Sequence, residues 1–160
     1  VICPRAGIVC GMIVELPELH LSHGTVGTVC GFDHSYLDNI QEGWHNNLFP
    51  YPMWHYNFKP LSERIPLLTL SYSEAVTDVA SEVSLPVTTE GTFHAMMIWV
   101  DFDLADGITV SSFPGDNASS LKQMLKFLPV PKVFDTSAEC EVKVFSQFSS
   151  TDGKLTFTFK

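Results

Sequence analysis

Basic residues are scarce in this chain: nine Lys and Arg face eighteen Asp and Glu, a formal charge of −9 at pH 7 over 160 residues. Such a surface repels nucleic acid and favours basic partners. Charged residues make up only 17% against 45% hydrophobic, the balance of a globular chain and not of a disordered one. No apolar run approaches the ~20 residues that a membrane helix requires. The four cysteines (Cys3, Cys10, Cys30 and Cys140) form no C-x-x-C pair and no zinc spacing. Set among apolar neighbours, they read as buried free thiols in a reducing compartment. The chain opens at Val1, without Met and without a signal-peptide pattern, and reads as a piece of something longer. No strand leads into a Gly-rich loop opening a helix, so the usual dinucleotide cradle is not seen in this sequence. Internal repeats are absent. The sequon Asn117-Ala118-Ser119 has meaning only in a secreted protein.

What is present is strand after strand. Residues 6–16 (AGIVCGMIVEL) are β-branched and small, with glycines where another backbone can approach closely. Residues 25–32, 65–72 and 80–89 are further strand candidates. Residues 93–104 (FHAMMIWVDFDL) form the strongest one, with Trp99 and Asp101 on one face and Val100 and Phe102 on the other. Asp106-Gly107 and Asp152-Gly153 are hairpin signals, the first returning residues 108–113 antiparallel to the strand before it. Residues 121–130, 140–148 and 155–159 complete the set, although Leu121, Met124, Leu125 and Leu128 also fit helical spacing. Asp33 is placed to cap a short helix carrying Tyr36, Leu37 and Ile40 on one face. The expected fold is all-β: a barrel or sandwich of about eight strands with one short helix. It forms a single domain over residues 1–160.

Residues 43–58 (GWHNNLFPYPMWHYNF) stand apart, with two each of Trp, Tyr, Phe and Pro in sixteen positions. Its prolines and Asn-Asn break regular structure, and its rings either pack onto the barrel or dock a partner. Catalytic constellations are thin. His20 and His23 are three apart, with Asp33 and His34 downstream, but the segment lies between Pro17 and Gly24 and reads as a loop. A metal-dependent hydrolase using His20, His23 and Asp33 is the reading they permit. His94 has no carboxylate or nucleophile at a matching spacing and reads as a hydrogen-bonded core histidine. Asp101 and Asp103 share a strand face and read as solvated turn flanks.

Several segments in one order resemble a single family. Val29-Cys30-Gly31-Phe32-Asp33, the strand from Thr92-Phe93-His94-Ala95 to Leu104, Lys122-Gln123 with Phe127-Leu128-Pro129, and the closing Asp152-Gly153-Lys154-Leu155 are similar to the β-barrel half of protein arginine methyltransferases. Pro52-Met53-Trp54-His55-Tyr56 and Leu61-Ser62-Glu63 look most like the C-terminal module of the tandem, two-module type. Where that family's barrel carries a Thr-His-Trp-Lys-Gln run along its arginine channel, this chain has Ser119-Ser120-Leu121-Lys122-Gln123.

The resemblance implies a noncatalytic barrel module with an arm-like insertion at about residues 34–58, holding a pseudo-dimer with the catalytic module of the same parent protein. The chain alone is then inactive. It has no catalytic residues, the loop at Ser119, Ser120 and Leu121 being degenerate, and it binds no cofactor or metal itself. S-adenosylmethionine is expected in the parent's other domain, and arginine-rich proteins are the parent's substrates. Trp44, Tyr51, Trp54 and Tyr56 are the expected interface anchors. No nucleic acid or membrane partner is implied, and the expected location is the cytoplasm with a nuclear share. The alternative is a free-standing β-sandwich that binds proteins or peptides without an enzymatic parent.

Overall fold

The computed structural model describes residues 2–22, 26–42, 47–115, 121–135 and 140–160. Its centre is β1 (Ala6–Glu15), a strand buried on both faces, which explains its unbroken apolar run. On one side β1 pairs with β8 (Gly91–Ala105) from Ala6↔Asp103 to Val14↔Ala95. On the other it pairs with β6 (Ile65–Ser71), and at its end with β5 (Lys59–Pro60). Beyond β8 come β9 (Ile108–Ser111), returning through the Asp106-Gly107 turn, and β10 (Gln123–Phe134). β4 (Phe49–Tyr51) edges β10, giving a seven-stranded antiparallel sheet.

The second sheet has three strands in the order β12 (Lys154–Phe159), β11 (Glu141–Ser149) and β7 (Val79–Pro86). The two sheets meet where the Ser81 hydroxyl donates to the Leu67 carbonyl. Between them lies one core, in which Val9, Ile13, Met96 and Ile98 face Val142, Val144 and Phe157. The opposite side of the large sheet carries a second core of Met12, Val14, Met97, Trp99, Leu125 and Phe127. It is capped by α1 (Pro17–Leu21) through Leu19 and by a 3-10 turn at Met53–His55 through Met53.

The fold is therefore mostly β and antiparallel, as its alternation implies. A closed barrel is not formed among the described residues, because no ladder joins β12 to β4 or β10. Other local expectations change. Residues 17–21 are helical, since Pro17 at the helix start supplies a fixed φ and needs no amide partner there. The strand expected at residues 121–130 does form, at Gln123–Phe134, because pairing with β8 and β4 outweighs its helical spacing. At Gly11 it is a side chain and not a backbone that approaches closely: a Cβ there would lie 2.5 Å from Leu67 Cδ1. All four cysteines are free, but Cys3 and Cys30 are exposed, and only Cys10 is fully buried. No helix among the described residues is long and apolar enough to cross a membrane.

Candidate functional site

Residues 26–42 leave both sheets and form a small unit of their own. β2 (Thr28–Val29) and β3 (Phe32–Asp33) make a hairpin around Cys30 and Gly31, with φ of 51° and 83°. Positive φ at both central positions is the primed turn that matches strand twist. α2 (Ser35–Glu42) follows. The Asp33 carboxylate accepts the Ser35 amide at 2.9 Å and the Ser35 hydroxyl at 3.0 Å, bracing the helix start from one residue before His34, whose carbonyl accepts the first helical amides. The Asp38 carboxylate reaches back from the helix to the amides of Val26 (2.6 Å) and Gly27 (2.8 Å), and the Gly27 carbonyl accepts the His34 amide at 2.9 Å. Among the described residues, every hydrogen bond of this excursion is internal to it.

Its apolar side chains have no core to enter. Tyr36 is 87% exposed, Phe32 72% and Ile40 69%, with Leu37 and Val29 also open. Tyr36, Leu37 and Ile40 do share a helix face, but that face points to solvent. A braced projection with a bare apolar stripe is the pattern of a docking element, not of a misplaced core segment.

The aromatic segment behaves otherwise. Tyr51 stands edge-on to Phe127 at 6.2 Å and so packs on the large sheet, while Tyr56 lies edge-on to Tyr51 at 5.8 Å and stays 38% exposed. Burial first, then Tyr56, pushes the Tyr51 phenol above its usual range. Trp54 beside His55 is 43% exposed. Trp44 lies outside the described residues, as do Ser119, Ser120 and His23. Leu121 is half exposed, while Gln123 is fully buried. Its amide donates to the Leu121 carbonyl at 2.8 Å and to the Ser112 carbonyl, and its Oε1 accepts the Met53 amide at 3.0 Å. The Lys-Gln pair singled out from the sequence thus contributes a tie between three segments.

His94 is buried, and its Nδ1 accepts the Leu16 amide at 3.3 Å, so the sequence reading of a satisfied core histidine holds. Burial, followed by His20 at 5.1 Å between ring centres, keeps its pKa below the ordinary value. His20 Nε2 is buried without a hydrogen-bond partner among the described residues. Asp33, engaged with Ser35, belongs to the 26–42 projection, hereafter the arm, and no group of three or more His, Cys, Asp or Glu among the described residues has metal-binding geometry. Asp101 is not a solvated flank. It accepts from Trp99 Nε1 (3.1 Å), the Ser111 hydroxyl (2.5 Å) and the Cys10 thiol (3.4 Å), and burial together with this carboxylate pushes the thiol up to about 12. Asp103 pairs with Arg5 at 3.0 Å.

Sequence reasoning found the stripe on α2 and named its interface anchors on the aromatic segment, where Trp54 and Tyr56 are partly exposed. It missed Val29 and Phe32, although two apolar residues flanking a Cys-Gly turn were a legible sign of a hairpin with an unpartnered tip.

No protein-family model matches the chain. Among curated proteins, it is 29% identical to protein arginine N-methyltransferase 7 of Danio rerio over 69% of this chain. It is 26% identical to protein arginine N-methyltransferase 7 of Oryza sativa subsp. indica over 98% of this chain. The chain spans only 17% and 23% of the lengths of those relatives. In fold it is similar to a chain of the Trypanosoma brucei PRMT1 enzyme–prozyme heterotetrameric complex with AdoHcy, with a TM-score of 0.69 and 13% identity over 90% of this chain and 46% of that chain. The sequence matches and the fold agree: this is a protein arginine methyltransferase-like chain, corresponding to a minor part of its full-length relatives.

Proposed function

We propose that the chain is a noncatalytic barrel-like module of a tandem protein arginine methyltransferase, holding a pseudo-dimer with the catalytic module of its parent. The observation that carries this is the self-braced arm with Phe32, Tyr36 and Ile40 exposed, a surface whose burial needs a second body. At ~25 cal/mol per Å² of apolar area, covering three such side chains supplies several kcal/mol before ordering costs. The noncatalytic part of the reading rests on Ser119, Ser120 and Leu121 standing where the family's Thr-His-Trp run is expected. S-adenosylmethionine would bind in the parent's other domain, arginine-rich proteins would be the parent's substrates, and the whole would work in the cytoplasm and nucleus.

The test is titration of the full chain against the parent's catalytic module by sedimentation or calorimetry. Association is expected, and Tyr36→Asp with Ile40→Asp should weaken it by more than about tenfold, while the far-ultraviolet spectrum stays unchanged. No association, or association indifferent to both changes, rejects the scaffold reading. S-adenosylhomocysteine added to the chain alone should give no binding heat.

A further inference from the structure

The core shared by the two sheets is not filled throughout. Among the described residues no ladder joins β12 to β10, and side chains of both strands line a cavity of about 190 Å³. Val9 and Ile98 of the large sheet and Phe157 of the small one form part of its wall, all three almost fully buried. Val100, Met124 and Leu155, partly buried, belong to the same core and the same wall. The half-exposed Leu121 and the exposed Lys122 also line it, so the cavity reaches the surface just ahead of β10.

The lining offers little to a polar guest. Its side-chain nitrogens and oxygens, among the described residues, are those of Trp99, Ser112 and Lys122. Trp99 Nε1 already donates to Asp101 at 3.1 Å. The Ser112 hydroxyl donates to the Val100 carbonyl at 2.8 Å and accepts the Val100 amide at 3.0 Å. Lys122 is exposed, and its ammonium is best solvated in water. A water molecule settles in such a space only with about two to four polar partners, so these walls favour an occupant that needs none. Apolar cavities of roughly 150 Å³ stay dry and bind benzene or xenon, and the volume here suits one small ring.

We propose that this cavity is a binding site for a small, uncharged, apolar molecule about the size of one aromatic ring. Such a ligand fits the folded state alone and stabilises it by mass action. A ligand of the same shape with a hydroxyl brings a polar group to walls whose own polar atoms are already engaged, and binds more weakly. The cavity shares no residue with the arm, so losing one site leaves the other intact.

Benzene is the probe, titrated calorimetrically into the full chain, with phenol as its polar counterpart. Saturable binding of benzene is expected within its solubility, and phenol should bind about tenfold more weakly or worse. Saturating benzene should raise the thermal midpoint by about 2–5 °C. Under xenon pressure the methyl resonances of Val9, Ile98 and Leu155 should shift, a readout that needs no variant. Val100→Phe fills the space and should weaken benzene about tenfold or more; if that variant does not fold, the phenol comparison and the xenon shifts decide. The proposal is overturned by an absence of saturable benzene binding, by equal affinity for phenol, or by a folded Val100→Phe that binds benzene as before. Xenon shifts confined to the second core, at Met12, Val14 and Leu125, would overturn it too.

Discussion

Gln123 is the residue whose loss the fold should feel most at a polar position. Gln123→Ala strips a partner from the Met53 amide and the Ser112 carbonyl, both at a buried site, and from the part-buried Leu121 carbonyl. Unsatisfied buried groups cost roughly 1–3 kcal/mol each before relaxation, so denaturant titration should show a loss of about 2–3 kcal/mol. Ser146 is the converse. Its hydroxyl is buried without a partner among the described residues, so Ser146→Ala should be neutral or stabilising by up to about 1 kcal/mol in the same titration. His94 sets a pH dependence. Its folded pKa lies below the unfolded value of about 6.5, so the unfolded state takes up the proton first. The stability it contributes is complete above that value and is lost as pH falls through it toward the lower folded pKa. Chemical denaturation between pH 7 and 5 should show this decline, and His94→Gln should flatten it. Asp78, held low by Ser150, and Asp152, held low by Ser149 first, lose their contributions only below about 3.8, in a separate window. The sequence made His94 legible through its apolar strand neighbours. It could not show Gln123, whose role depends on Met53 arriving from seventy residues away.

The arm is the element whose stability is its own. Asp38→Ala removes the two bonds that clasp Val26 and Gly27 to α2, leaving the sheets untouched. Amide exchange should accelerate across residues 26–40 while the thermal midpoint of the sheets shifts by no more than a degree or so. Asp33 and the stripe at Tyr36, Leu37 and Ile40 were readable, because a capping carboxylate and helical spacing are local signals. The direction of that stripe was not, since only the tertiary fold decides whether an apolar face meets a core. The same limit governs α1, five residues too few to show a period, and β10, whose helical spacing yields to β8 and β4 on either side. Strands ending in Asp-Gly turns were legible for the opposite reason: the turn places partners within a few residues of each other.

At the scale of the molecule, alternation and turns indicated a mostly antiparallel β architecture, and two sheets around a shared core are what forms. That no ladder among the described residues joins β12 to β4 or β10 could not be read from the sequence, because Leu155, Phe157 and Phe159 alternate equally in a closed barrel and in a sandwich. The two-sided burial of β1 has a further consequence for how the chain is made. Its longest ladder runs from Ala6↔Asp103 to Val14↔Ala95, so the strand waits for a partner that is synthesised some ninety positions later. At roughly 5–20 residues per second, the β-branched, cysteine-bearing run of β1 stays without that partner for about 5–20 s on a translating ribosome. During that interval the stretch at the heart of the finished sheet is the part of the nascent polypeptide most exposed to aggregation, and chaperone capture would have its greatest effect there.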